Sequence, residues 1–86
     1  MKEIEVQLFG AFSELDPQRR ISVAVEGGQV ADLRRALREL LQQRFPQFRA
    51  GLVDYSAFAD ERRVLRDSEP LPADGTLAIL PPVSGG

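Results

Sequence analysis

Only one segment of this 86-residue chain has helical periodicity, and that limits the folds it can adopt. Between Gly27-Gly28 and Pro46, apolar residues recur three or four positions apart, at Val30, Leu33, Leu37, Leu40 and Leu41. The pattern predicts an amphipathic helix from about Val30 to Arg44, with Gln29 as a weak N-cap and Asp32 favourable to the helix dipole. One helix can cover only one face of a sheet, so strands must supply the rest of the core.

Strand-like segments lie on both sides of this helix. Alternating apolar and polar residues predict a hairpin of Lys2–Phe9 and Arg19–Val25, joined by a rather long loop. Two short strands are predicted at Tyr55–Ala59 and Val64–Arg66, with a polar turn between them. The nearly continuous apolar run Thr76–Leu80 predicts a strand buried on both faces and placed centrally, beside the first strand. The order predicts one two-layer α+β domain.

Composition narrows the classes of function. Apolar residues make up 43% and charged residues 28% of the chain, as in ordinary globular domains, and the net charge of -2 gives no field that attracts nucleic acid. No run of about 18 apolar residues indicates a membrane span, and no signal peptide is recognised, so we expect a cytoplasmic protein without membrane contact. Arg34, Arg35 and Arg38 are expected to form a solvated helix face rather than an anion site.

The chain contains neither His nor Cys, which removes two common acid/base, nucleophilic and metal-binding side chains. The carboxylate pairs Asp60-Glu61 and Asp67/Glu69 are interpreted as turn and surface charges, because no metal-ligand spacing accompanies them. We therefore expect no metal site and no bound cofactor. Chemistry performed by this chain would have to use hydroxyls, carboxylates, Arg or its own termini.

The C-terminus is the most specific feature of the sequence. The double proline predicts an end to the last strand, because neither residue donates a backbone hydrogen bond, and a thin tail follows. Without a β-carbon, the final glycines could enter a narrow slot of a partner enzyme that activates the terminal carboxylate. Ser84 lacks an adjacent base and is interpreted as a spacer. The segment consists of Pro81, Pro82, Val83, Ser84, Gly85 and Gly86.

The segment Ile79–Gly86 resembles the C-terminus of the small subunit of molybdopterin synthase, a ubiquitin-like β-grasp sulfur carrier. Weaker matches are Leu8–Phe12 with Glu14-Leu15, the helix segment Ala36–Leu40, and Pro70-Leu71 with Asp74-Gly75. The resemblance implies a mixed sheet of about four to five strands with one main helix on one face. It also implies a β-grasp domain over residues 1–82 and a flexible tail over 83–86.

The resemblance further implies that an E1-like enzyme uses ATP to adenylate Gly86, which a sulfur donor converts to a thiocarboxylate. The large synthase subunit would then receive the tail and supply the catalytic side chains for sulfur transfer to a pyranopterin precursor. A hetero-tetramer of two small and two large subunits is expected. Phe9, Val64 and Leu80 match the family's docking patch, although Phe9 and Leu80 could instead belong to the core.

Three departures from the family pattern concern Ser13, Asp60-Glu61 and Thr76. They bear on partner identity more than on the fold, so other roles stay open. One is a sulfur carrier for thiamine, cysteine or tRNA thiolation. Another is a protein modifier that forms an isopeptide through Gly86. A plain interaction module is a third.

Overall fold

The structure, a computed structural model, describes residues 1–82; the predicted tail from Val83 to Gly86 lies outside them. Within the described residues five strands form one sheet: β1 (Lys2–Leu8), β2 (Arg20–Val25), β3 (Ala57–Ala59), β4 (Val64–Leu65) and β5 (Thr76–Leu80). The helix α1 spans Val30–Arg44, as predicted. Two 3-10 helices, Gly10–Leu15 and Ala50–Tyr55, complete the described part of the chain.

The strands lie in the order β2-β1-β5-β3-β4, which confirms the central position predicted for β5 beside β1. The pairing of β1 with β5 is parallel, and the other pairs are antiparallel. This mixed sheet with one helix on one face is the predicted α+β, β-grasp arrangement. Because β1 and β5 run in the same direction, the turn after β1 and the segment after β5 leave the sheet at the same end.

The core lies between the sheet and α1. On the helix, Val30, Leu33, Leu37 and Leu41 are fully buried against the inward-facing positions of the strands. Those positions alternate along each strand, as the period-two pattern predicts. The inward set includes Ile4, Val6, Leu8, Ile21, Val23, Val25, Phe58, Leu77 and Ile79.

The prediction that β5 is buried on both faces is wrong. Leu77 and Ile79 are buried, whereas Thr76, Ala78 and Leu80 are only partly covered. Within residues 1–82 the single α-helix lies on the inner side, so no second layer covers the outward positions of β5. An apolar run in this strand therefore serves the core on one side and an open surface on the other.

The start of α1 is stabilised by acceptors distant in sequence, which explains how a helix with a weak N-cap residue begins sharply. The amides of Val30 and Ala31 donate to the carbonyls of Glu69 and Asp67 at 2.9 and 3.0 Å. The Gln29 amide donates to the Asp32 carboxylate at 3.0 Å. Two of the donors that a helix start leaves without intrahelical acceptors are thus satisfied by the segment leading to β5, and the N-cap amide is satisfied by Asp32 of α1 itself.

Arg34 does not lie on a solvated helix face, contrary to prediction. Its guanidinium, with the side chain 16% exposed, donates to the Asp67 carboxylate at 2.8 Å and to the carbonyls of Val53 and Ser56 at 2.7 and 2.6 Å. It also lies 5.0 Å from the centre of the Phe58 ring. The planar fork of donors connects α1 to the second 3-10 helix and to the segment before β5.

The other two arginines of the cluster fit the prediction better. Arg35 pairs with Asp32 at 3.2 Å, and Arg38 pairs with Asp54 at 3.0 Å, both on the accessible side of the helix. Each cation already has a carboxylate partner, which disfavours an anion site here.

The remaining corrections concern element boundaries. Tyr55, predicted as the start of the third strand, ends the second 3-10 helix, and Arg66 lies outside β4. Phe9 and Arg19, predicted as strand ends, lie just outside β1 and β2. The turn predicted between the short strands is present, since the Asp60 amide donates to the Arg63 carbonyl at 3.0 Å.

Candidate docking face and tail exit

The outer face of the sheet carries a group of apolar side chains, which we call the outer patch: Phe9, Ala59, Val64, Ala78 and Leu80. Strand pairing aligns Val64 with Ala59 and Ala59 with Ala78, so these three side chains share one face. Leu8 and Ile79 form the last residue pair between β1 and β5. The residues that follow them, Phe9 and Leu80, therefore lie side by side. Two central strands and the β4 edge therefore contribute to one surface.

The structure places the three sequence-predicted docking residues outside the core. Phe9 is 46% exposed and Val64 is 55% exposed, while Leu80 is partly exposed. Phe9 and Leu80 line the same recess of about 310 Å³, whereas Val64 lies two strands away, about 10 Å from β5 by the usual strand spacing. Exposed large apolar side chains grouped on one face are typical of interaction surfaces.

The chain leaves β5 at the margin of this patch. Pro81 is partly buried, and Pro82 is exposed. The ring of Pro81 packs over Gly10, so closely that a β-carbon built on Gly10 would lie 2.5 Å from Pro81 Cγ. Pro81 thus lies against the turn that follows β1, while the predicted reactive residue Gly86 lies outside the described residues.

Charged side chains border the outer patch unequally. The recess that holds Phe9 and Leu80 is also lined by three carboxylates, those of Asp60, Glu61 and Asp74. On the other side of Phe9, a recess of about 430 Å³ is lined by two arginines, Arg19 and Arg20, together with Glu5. Arg20 pairs with Glu5 at 3.2 Å. The patch therefore has an acidic margin on the β3 side and a partly basic margin on the β2 side.

Comparisons with known proteins bear on the family and the fold of the chain. Residues 6–86 match the model of the ThiS family. The chain belongs to the ThiS family. The crystal structure of SAMP1 from Haloferax volcanii is similar, with 26% sequence identity, a TM-score of 0.64, and coverage of 98% of this chain and 99% of that one. No curated protein matches the sequence.

The match and the structure together give this ThiS-family chain the ubiquitin-like sulfur-carrier fold, a β-grasp with a five-stranded mixed sheet and one main helix. The sequence-based prediction of the fold is confirmed. The finer assignment to one sulfur pathway goes beyond what these matches establish.

The charged turns of the ThiS-family chain have identifiable local roles. The Asp60 carboxylate accepts the backbone amides of Arg62 and Arg63, each at 2.8 Å, and these bonds lower the pKa of Asp60. Glu69 accepts the Arg63 guanidinium and the Arg66 amide, which lower the pKa of Glu69 to about 2. The same ion pair raises the pKa of Arg63. These carboxylates shape the turns around β4.

Over residues 1–82, no three acidic, His or Cys side chains come together in a way that could hold a metal ion. None of the helices in this part of the chain has the length and apolarity to cross a membrane.

Sequence reasoning missed two residues of the tail exit in the ThiS-family chain. Gly10, whose φ is 57°, sits under Pro81, and the Ser13 hydroxyl donates to the Gly10 carbonyl at 2.7 Å. A glycine two residues after the end of β1 and the departure at Ser13 were the available signals. Their meaning depends on the parallel pairing that brings β5 alongside.

Proposed function

We propose that this chain is a sulfur carrier that serves as the small subunit of a molybdopterin synthase. The main supporting observation is that the chain leaves the central strand β5, through Pro81-Pro82, at the margin of the exposed outer patch. A partner that binds the patch would therefore lie close to the start of the tail. Binding energy from the patch can then serve to hold the reacting C-terminus in place.

The proposed chemistry takes place on the carboxylate of Gly86. One of its oxygens attacks the α-phosphorus of ATP on an E1-like enzyme, which releases pyrophosphate and leaves an acyl adenylate. A hydrosulfide equivalent then attacks the acyl carbon, AMP departs, and the C-terminus becomes a thiocarboxylate. Glycine suits this position because it has no β-carbon to obstruct a narrow active site.

In the proposed cycle the large synthase subunit takes up the charged tail, and its side chains catalyse transfer of sulfur to the pyranopterin precursor. The lack of His and Cys in the carrier is consistent with that division of labour. ATP belongs to the activating partner, and the assembled synthase would be a hetero-tetramer.

Phe9 and Leu80 are the proposed docking anchors for both partners, with Val64 extending the contact toward β4. A large aromatic side chain that is half exposed in the free protein is the type of residue that dominates binding energy once it enters a pocket. The unequal charged margins favour partners with a basic group near Asp60 and Glu61 and an acidic group near Arg19.

The test is reconstitution of the sulfur-transfer step. The thiocarboxylated chain is mixed with a large synthase subunit and the cyclic pyranopterin phosphate, and the dithiolene product is measured by mass spectrometry. We expect product with the full chain and none with a chain that lacks Gly86, which should fold normally because the tail adds little packing.

Two results would redirect the assignment. Thiocarboxylate that forms but yields no dithiolene with a competent large subunit would favour thiamine, cysteine or tRNA thiolation. Formation of an isopeptide between Gly86 and lysines of other proteins would favour a modifier. Chains of the protein itself could then extend only through its N-terminus or Lys2, its one lysine.

A further inference from the structure

At the tail exit, the Pro81 ring packs over the α-carbon of Gly10. A β-carbon built on Gly10 would lie 2.5 Å from Cγ and 3.3 Å from Cδ of the Pro81 ring. A proline ring is closed onto its own backbone nitrogen, so it cannot swing aside as a long side chain could. Relief of such a contact would have to move the backbone at Pro81.

The turn that holds Gly10 is well anchored. Phe12, two residues on, is fully buried and packs against Phe48 with ring centres 5.4 Å apart. The Ser13 hydroxyl donates to the Gly10 carbonyl at 2.7 Å. Since the turn is fixed to the core, a collision at Gly10 would be relieved mainly by movement of Pro81.

We infer that Gly10 is a positioning residue. Because it has no β-carbon, the Pro81 ring can pack directly against its α-carbon, and this contact sets the direction in which the chain leaves the sheet. The residue touches neither a reacting atom nor a cofactor, and it acts through Pro81 alone. The inference rests on the proposed sulfur-carrier function, because the direction of the tail matters for activity only if partners act on the tail. The contact between Gly10 and Pro81 can be tested without any partner.

The chain supplies a matched control. Gly75 also has a positive φ, 72°, and an added β-carbon there would meet only the Glu3 carbonyl oxygen at 3.4 Å. Gly10→Ala and Gly75→Ala therefore impose the same kind of backbone strain, and only the first obstructs Pro81. Gly28→Ala, with open space and no positive φ, serves as the unstrained control.

The partner-free experiment uses a spin label. The chain has no cysteine, so Gly86→Cys provides one labelling site, and broadening of backbone amide signals reports which surface the label approaches. We expect Gly10→Ala to change the broadening pattern over the outer patch, while Gly75→Ala and Gly28→Ala keep the parent pattern. A Gly10→Ala pattern identical to that of Gly75→Ala would overturn the inference.

The functional experiment measures kcat/KM of the carrier in ATP–pyrophosphate exchange catalysed by the E1-like enzyme of the same organism. Misplacement by about 1 Å can cost on the order of a hundredfold in rate, so we expect Gly10→Ala to lose at least about tenfold more than Gly75→Ala. Melting temperatures should fall similarly in both variants.

A double-mutant cycle with Pro81→Ala separates positioning from strain. Removing the ring eliminates the collision, so Gly10→Ala should cost little further kcat/KM in the Pro81→Ala background. An equal cost in both backgrounds would show that Gly10 acts through its own turn and would overturn the inference. A parent chain that supports no exchange at all would count against the proposed function, while the spin-label result still decides the role of Gly10.

Discussion

The two faces of the β-grasp sheet use the same strands for different purposes. Consecutive residues of β5 show this most clearly: Ile79 is fully buried beneath α1, and Leu80 is partly exposed beside Phe9. Both are large and aliphatic, so hydrophobicity alone does not distinguish core from surface. The strand pairing and the single covering helix make the distinction, and they leave the outer patch available for binding.

The largest expected effect is the loss of stability caused by a substitution on the inner face of the sheet. Ile79→Ala should lower the free energy of unfolding by about 3 kcal/mol, because it opens a cavity under the helix. The neighbouring Leu80→Ala should cost under about 1 kcal/mol, since its side chain is only partly covered. Urea unfolding of both variants measures the difference. Equal losses would contradict the assignment of the two faces.

The next effect tests whether the largely covered Arg34 side chain contributes more to stability than the accessible Arg38 side chain. Arg34→Ala should cost about 2 kcal/mol, since it removes donors from two backbone carbonyls in a largely covered site. Arg38→Ala, which breaks an accessible ion pair, should cost about 0.5 kcal/mol or less. Thermal unfolding compares them, and similar melting temperatures would show that the Arg34 contacts add little.

Substitutions on the outer face should weaken partner binding and have little effect on stability. Phe9→Asp should leave the melting temperature nearly unchanged, while it weakens partner affinity by about 2 kcal/mol, roughly thirtyfold in Kd. Leu80→Asp should act in the same direction. Isothermal titration against the activating enzyme measures the affinity. Unfolding of either variant would place that residue in the core.

The smallest effect concerns pH. The folded-state pKa of Glu69, about 2, lies below its ordinary value of 4.5, so the stability it contributes is present above pH 4.5 and is lost as pH falls toward 2. Glu69→Gln should flatten the acid limb of the stability curve in that window. Glu61→Gln in the neighbouring turn is the control, and an equal change in both curves would remove the special role of the Arg63 pair.

The sequence was sufficient to predict the helix and the approximate positions of the strands, because these depend on local periodicity. The central position of β5 was also predicted correctly, although the burial on both faces from which it was inferred is wrong. It did not predict the open outer side of β5, since an apolar run has the same appearance whether one layer or two will cover it. The roles of Arg34 and Gly10 also escaped prediction. Their contacts join residues 33 and 71 positions apart, and only the folded chain brings them together.

Intact mass after incubation with an E1-like enzyme, ATP and hydrosulfide tests the central claim most directly. The account predicts a gain of about 16 Da, the difference between sulfur and oxygen, confined to the C-terminal fragment and absent when Gly86 is deleted. An unchanged mass with an activating enzyme shown to bind the outer patch would contradict the sulfur-carrier function.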